Sequence, residues 1–324
     1  MPDHDLESEP LVSVIIPTYN RPDYLKDALK SALQQTYRNI EIIVSDNASP
    51  DNPQPWIEAL NDPRIQVYRQ EQNVGMFANV QSAFLRAKGK YMASLLDDDA
   101  WEPDFLDKLV PPLERYPSVA IAFCDHYMVS ATGEIDVAAT EACSRANNRH
   151  DLPEGLYYPM AEYGLINGAI SPAMAGLIRR DAVDWSQIPA EADVLWDMYV
   201  NYVCCRDDWG SYYCPEKLTR VREHAQSETQ QSGTRNVQAK LRKGRAQIFC
   251  FNTLLADDRL KTYHPIFRQR WAHANTTLGI GLIRDRQPAE ARPYLWRSLR
   301  SQFKMRTFVA LVVSYLPYAL ARRF

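Results

Sequence analysis

The apolar positions of the first 125 residues switch between two periods. Short, nearly unbroken apolar runs lie at Val12–Ile16, Ile40–Val44, Ile65–Tyr68, Tyr91–Leu96 and Val119–Cys124. Runs of that length predict strands buried on both faces. Between them, Tyr24, Leu25, Ala28, Leu29, Ala32 and Leu33 recur at helical spacing, as do the apolar residues from Met76 to Ala87 and from Phe105 to Leu113. Arg21-Pro22 places proline in the first turn of the first of these helices, where its missing N–H costs nothing. Alternating strands and helices predict an α/β domain, a mostly parallel sheet flanked by helices. Such sheets bind ligands outside the carboxyl ends of their strands. Three polar clusters fall at those ends: Pro17–Arg21, Ser45–Ser49 and Asp97–Asp99.

Beyond residue 125 the patterning thins, and from about Val237 it becomes helical to the end. The reading is a disordered N-terminus at 1–10, an α/β domain at 11–235, an α-helical extension at 236–306 and an amphipathic segment at 307–324. Gly281–Arg300 resembles one tetratricopeptide-like helical hairpin, with no second copy. Thr307–Leu320 is apolar but shorter than the about 20 residues that span a bilayer, and Pro317 interrupts it. Either it packs on its own domain or on a second copy, or it lies in a membrane interface.

Composition is that of an ordinary globular protein, 46% hydrophobic and 24% charged. Charge changes the picture. The net −3 divides into +13 from Lys240 onward, where 17 Lys and Arg face 4 Asp and Glu, and −16 before it. An acidic body with a basic tail implies that the tail meets something anionic, such as a membrane surface; no nucleic-acid partner is expected. The six cysteines show no metal-ligand spacing and the first ten residues are polar and acidic. The expectation is free thiols in the cytoplasm.

The chemistry centres on Asp97-Asp98-Asp99. Three adjacent carboxylates at a buried strand end raise one another's pKa, so a positive partner is required. A divalent cation shared with a phosphate answers that need. Neither G-x-G-x-x-G after the first strand nor G-x-x-x-x-G-K-[ST] is present, which excludes the glycine-rich phosphate cradles.

Five segments, in order, resemble family 2 glycosyltransferases of the GT-A type: Val12–Arg21 (VSVIIPTYNR), Ile42–Asp51 (IIVSDNASPD), Asn73–Asn79 (NVGMFAN), Gly89–Asp104 around the aspartates, and Arg222–Ser227 (REHAQS). The resemblance covers roughly residues 11–230. It implies a GT-A fold and transfer of a sugar, with inversion, from a nucleotide-diphosphate sugar to a hydroxyl, with Mn²⁺ or Mg²⁺ on the diphosphate. UDP-sugars are favoured, because the family's uridine-dependent members hold the base with the aspartate that falls here on Asp46. Pro17, Thr18, Tyr19, Asn20 and Arg21 would line the donor pocket, and Arg222 would offset diphosphate charge. Asn73 either touches the donor or caps the following helix. Aligned on Tyr91 and Trp101, the first aspartate of the D-x-D motif falls on Leu96 and the second on Asp98. Asp98 is then the leading metal ligand, supported by Asp99 and His224. Asp97 covers the donor-ribose role, or the strand shifts register by one.

The acceptor hydroxyl needs a general base. In the family it lies in an acidic segment that corresponds here to Glu191–Asp197. Asp193 is the first choice, with helix capping as its structural alternative. Glu191 and Asp197 are the other candidates, and Asp193 and Asp197 would share a face on a helix. The functional reading is a metal-dependent inverting transferase in surface glycan assembly, with a glycan or lipid-linked acceptor, at the inner face of the cell membrane. Leu96 and the broken acidic pair motivate an alternative, a catalytically impaired nucleotide-sugar-binding scaffold. A nucleotidyltransferase is the third reading.

Overall fold

In a computed structural model of the chain, residues 9–225, 227 and 236–316 are described. Disorder is expected over 1–10; residues 1–8 lie outside the described residues, but Glu9 and Pro10 are ordered, their carbonyls accepting from Asn39 Nδ2 and Tyr37 Oη. The last eight residues of the amphipathic segment, 317–324, also lie outside the described residues. Two compact units emerge: Met1–Ile188 with Asp197–His224, and Pro189–Trp196 with Ala225–Phe324.

The first unit is built on nine strands: β1 (Val12–Thr18), β2 (Ile40–Asp46), β3 (Ile65–Arg69), β4 (Tyr91–Ser94), β5 (Ala100–Trp101), β6 (Val119–Val129), β7 (Gly155–Tyr157), β8 (Gly176–Arg179) and β9 (Gly210–Arg222). Its helices are α1 (Pro22–Leu33), α2 (Gln54–Glu58), α3 (Met76–Phe84), α4 (Phe105–Arg115), α5 (Val137–Ala146), α6 (Pro172–Ala175) and α7, which runs from Trp196 to Arg206. The sheet order is β3-β2-β1-β4-β8-β6-β9-β5, with β7 on β9. Every residue of β1 and β2 is buried, which is why both read as unbroken apolar runs. The pairings of β1 with β2 and β4, of β2 with β3, and of β6 with β9 are parallel. Four antiparallel pairings complete a mixed sheet, including β8 wedged between β4 and β6. α1 and α4 bury Leu25, Ala28, Leu29, Phe105, Leu106 and Leu109 against this frame.

β9 lay in the stretch with little pattern. Its register against β6 slips between Cys124↔Cys214 and Asp125↔Lys217, leaving Pro215 and Glu216 outside the ladder, as a proline without an N–H requires. β4 ends at Ser94 rather than running to Leu96, and this early end shapes the site described below.

The second unit is helical: α8 (Val237–Ala256), α9 (His264–Arg284), α10 (Pro288–Ser301) and α11 (Met305–Val313), with the short, separate Ala190–Leu195 segment packed against α8. Asn236 caps α8 by accepting from Ala239 N. The expected hairpin is α9 with α10. It closes tightly because a Cβ on Gly279 would sit 2.7 Å from Leu295, so only glycine lets the two helices approach this closely. Among the described residues no helix is long and apolar enough to cross a membrane.

Candidate active site

All three strand-end clusters fall in the first unit, at the carboxyl ends of the adjacent strands β2, β1 and β4. Leu95 N still bonds Ile15 O at 2.8 Å, but beyond it the chain turns. In a strand, neighbouring side chains point to opposite faces. Released into a turn, Asp97 and Asp98 face the same cation: Arg21 Nη1 lies 3.0 Å from Asp97 Oδ1 and 2.7 Å from Asp98 Oδ2. No register shift is needed to bring Asp97 into the site. Thr18 Oγ1 donates to Asp97 Oδ2 at 2.8 Å, and Tyr19 N approaches it at 3.4 Å. The Pro17–Arg21 loop thus wraps Asp97. Pro17 and Thr18 are buried and Tyr19 and Asn20 exposed, with Asn20 at φ 56° and its N–H on Ser49 Oγ.

The third carboxylate faces another way. Asp99 Oδ1 accepts from Arg222 N at 2.9 Å, while its buried Oδ2 has no hydrogen-bond partner. Arg222 braces the turn. It donates through Nε to Asp98 O at 2.9 Å, through Nη1 to Ala131 O and through Nη2 to Asp27, and it lies over the Tyr24 ring. His224, beside Tyr24, points Nε2 at Asp98 Oδ2, 2.9 Å away. Burial and then the neighbouring Asp98 charge push Asp97 up to about 6, and the same two causes lift Asp99 well above the carboxylate range. The cluster is short of positive charge, as three buried carboxylates must be.

Asp98 and His224 suit a divalent cation. Two donors each about 2.1 Å from an ion, at right angles, stand about 3 Å apart, close to the separation seen. Carboxylate oxygen with imidazole nitrogen favours Mn²⁺ over Mg²⁺. Among the described residues no three His, Cys, Asp or Glu side chains converge as a metal cage. Phosphate oxygens and water commonly complete the shell of such ions.

Asp46 is fully buried at the end of β2. Its carboxylate accepts from Ser49 N at 3.1 Å, from Ser49 Oγ, and from Arg69 Nη1 at 2.6 Å. The turn bonding expected of an aspartate after a strand is therefore present. Asn73 does not cap α3, whose N-cap is Gly75 at φ 89°. Its Oδ1 instead accepts from Gly75 N at 3.0 Å and Asn47 Nδ2 at 3.2 Å.

The base candidates are split. Asp197 belongs to the first unit and accepts from Met198 N. Glu191, exposed, and Asp193 belong to the second. Asp193 and Asp197 do not share a helical face, because Asp193 breaks the helical path at φ 39°, ψ −117° before α7 begins. Nor does Asp193 cap a helix; Arg242 grips both its oxygens through Nε and Nη2. Sequence reasoning missed Arg69, Asp27, Tyr24 and Arg242 as partners. Arg69 ends β3 directly across from Asp46 in the ladder, so the strand alignment could have found it. The other three are brought in by folding and leave no local signal.

Residues 13–167 match the family model described as glycosyl transferase family 2. Over that segment, just under half of the chain, the match is to glycosyl transferase family 2. It is 33% identical over 125 residues to an Escherichia coli K12 protein provisionally named colanic acid biosynthesis glycosyl transferase WcaA, a match over 38% of this chain and 45% of that one. Over 128 residues it is 36% identical to a Bacillus subtilis 168 protein provisionally named teichuronic acid biosynthesis glycosyltransferase TuaG, covering 39% of this chain and 50% of that one. The chain therefore spans about half the length of these curated relatives. In fold it resembles residues 1–349 of Staphylococcus aureus TarS in complex with UDP-GlcNAc, at TM-score 0.59 and 14% identity, over 96% of this chain and 91% of that one. The mannosyltransferase PcManGT of Pyrobaculum calidifontis, in complex with GDP-Man and Mn²⁺, is matched at TM-score 0.56 and 16% identity, over 98% and 84%. The first unit has the GT-A fold, and C-terminal helices follow it.

Proposed function

We propose that the protein is a metal-dependent, inverting glycosyltransferase that moves a sugar from a nucleotide-diphosphate sugar, UDP-linked by preference, to a hydroxyl acceptor. The observation that carries this reading is the convergence of Thr18, Arg21, Asp97, Asp98 and His224 on one charge-deficient point at the strand ends. Asp98 and His224 would hold Mn²⁺ or Mg²⁺, and Asp99 would add negative charge behind them. The cation would supply charge stabilisation as the nucleoside diphosphate departs. Asp97 would turn to the donor ribose, and Tyr19, Pro17 and Asn20 would border the base, with Asp46 receiving its N–H. Arg21, already on two carboxylates, is placed to swing onto phosphate oxygens, with Arg222 steadying the turn beneath.

For the base we propose Asp193. Backbone strain of its kind persists where surrounding structure enforces it, often at working sites, and Arg242 fixes its carboxylate in one orientation. Glu191 and Asp197 are the alternatives. The relatives named for colanic and teichuronic acid biosynthesis support a glycan or lipid-linked glycan acceptor in surface polysaccharide assembly. The basic, apolar C-terminal stretch supports placing that work at the cytoplasmic face of the membrane.

The test is a thermal-shift screen of nucleotide sugars with and without Mn²⁺, because a ligand of the native state raises its melting temperature by mass action. We expect a UDP-sugar to stabilise the protein in a Mn²⁺-dependent way. Asp98→Ala should abolish the Mn²⁺-dependent part, and Asp193→Asn should retain donor binding but lose transfer. Unchanged turnover in Asp98→Ala would overturn the metal assignment. Donor binding without turnover on any acceptor would leave the binding scaffold.

A further inference from the structure

α11 (Met305–Val313) has two unlike sides. Thr307, Ala310, Leu311 and Val313 are buried. Met305, Phe308, Val309 and Val312 are exposed at 65, 44, 42 and 45%. They recur at helical spacing, so the outer stripe of this helix is itself apolar. Phe303 and Tyr315 extend it at either end, 66 and 59% exposed, and the Phe303 and Phe308 rings lie 6.1 Å apart.

The helix is held in this orientation. Thr307 Oγ1 bonds Thr276 Oγ1 of α9 at 2.8 Å. Arg292 of α10 donates to Ser314 O at 2.8 Å and lies 4.1 Å from the Tyr315 ring. Turning the apolar stripe inward would break the buried polar contact and expose Leu311 and Val313.

Charge says what covers the stripe. From Ala291 to the end of the chain the sequence has seven Arg and Lys and no Asp or Glu. Arg300 and Arg306 are exposed and Lys304 half-buried, and all three adjoin the stripe in sequence. His273 on α9 feels the same field: burial, then Arg306 and Lys304, hold it below its ordinary value. Two copies joined through this face would bring two such positive rims together with no carboxylate from this stretch to relieve them. An anionic bilayer supplies both the apolar medium and the opposite charge. Nine residues of helix are about 14 Å long, far short of the about 30 Å hydrocarbon core, so the helix must lie in the interface.

We propose that Phe303, Met305, Phe308, Val309, Val312 and Tyr315 form a docking face that enters the headgroup region of an anionic phospholipid surface, with Arg300, Lys304 and Arg306 against the lipid phosphates. This rests on the membrane placement in the proposed function and on none of its sugar-transfer chemistry. The full chain is sedimented with vesicles of phosphatidylcholine alone and of phosphatidylcholine with phosphatidylglycerol. Binding is expected only to the anionic vesicles and should weaken as salt rises from about 0.05 to about 0.5 M. Val309→Asp/Val312→Asp, both exposed positions, should reduce it at least about tenfold, as should Lys304→Glu/Arg306→Glu. Both variants should keep the parent's circular dichroism and its donor thermal shift. Equal binding to neutral vesicles, or undiminished binding by Val309→Asp/Val312→Asp, overturns the proposal. So does a dimer in light scattering that this variant dissociates, since a second copy would then cover the face. Vesicle binding without any donor shift would sink the transferase reading and leave the docking face standing.

Discussion

Arg21→Met removes the cation that Asp97 and Asp98 share while keeping the side-chain stem. Its guanidinium nitrogen lies 3.0 and 2.7 Å from the two carboxylates, which are 5 and 8% exposed. At an effective dielectric of about 20, a unit charge pair near 3 Å is worth about 5 kcal/mol. Desolvation takes most of that back, and the Arg21 side chain is 23% exposed, which screens the remainder. Breaking such a pair from one side leaves buried carboxylates uncompensated, at about 3–5 kcal/mol for a fully buried pair. Allowing for the exposure, the variant should lose about 2–3 kcal/mol in urea unfolding, as a lower midpoint with unchanged slope. Arg21→Lys should fall between, since the ammonium keeps the charge but its shorter stem stops short of the position Arg21 Nη1 holds between the two carboxylates. If Asp98 is a metal ligand, MnCl₂ should stabilise Arg21→Met more than the parent, because the ion no longer competes with Arg21 for the same oxygen. A loss below about 0.5 kcal/mol would refute the charge argument. A loss that Mn²⁺ does not restore would keep it but detach it from metal binding.

Two further perturbations test the frame around the site. Burial, then Arg149, lowers His126 to about 3, against an opposing pull from Asp125, so the folded state keeps the ring neutral while the unfolded chain protonates near 6.5. Stability should therefore be complete above about pH 6.5 and fall by up to about 1.4 kcal/mol per pH unit on acidification toward 3. In His126→Gln this component of the acid limb should flatten, and identical pH profiles would refute it. Gly89→Ala would set a Cβ 2.6 Å from the Ser13 backbone nitrogen; because strand backbone cannot step aside, we expect a loss of about 1–3 kcal/mol, and a neutral substitution would show that β1 yields there.

The extent to which the site was legible follows from which contacts are local. Burial on both faces writes β1 and β2 into the sequence as unbroken apolar runs, and the polar residues that end them mark the carboxyl edge of the sheet. That is why Pro17–Arg21, Asp46 and Asp97–Asp99 could be singled out before any coordinates. β7, β8 and β9 could not, because three or four residues carry no period, and a strand interrupted by Pro215 is defined only by its partner. Leu96 looked like a fault in the aspartate motif for a related reason. Sequence spacing assumes that the strand pleat continues, whereas β4 stops at Ser94 and the turn carries Asp97 and Asp98 to the same side.

The sequence by itself therefore determined the α/β class, the edge of the sheet where the polar clusters gather, the surplus of negative charge there and the basic, apolar character of the tail. Only the tertiary structure decided which groups answer that charge. Arg21, Thr18 and His224 meet the aspartates across 76 to 126 residues of chain, and Asp193 is claimed by Arg242 of the helical unit. It also decided which side of α11 is outward. Periodicity records that a residue will be buried or exposed, but a pairing between distant polar groups depends on distances that exist only once the core has packed.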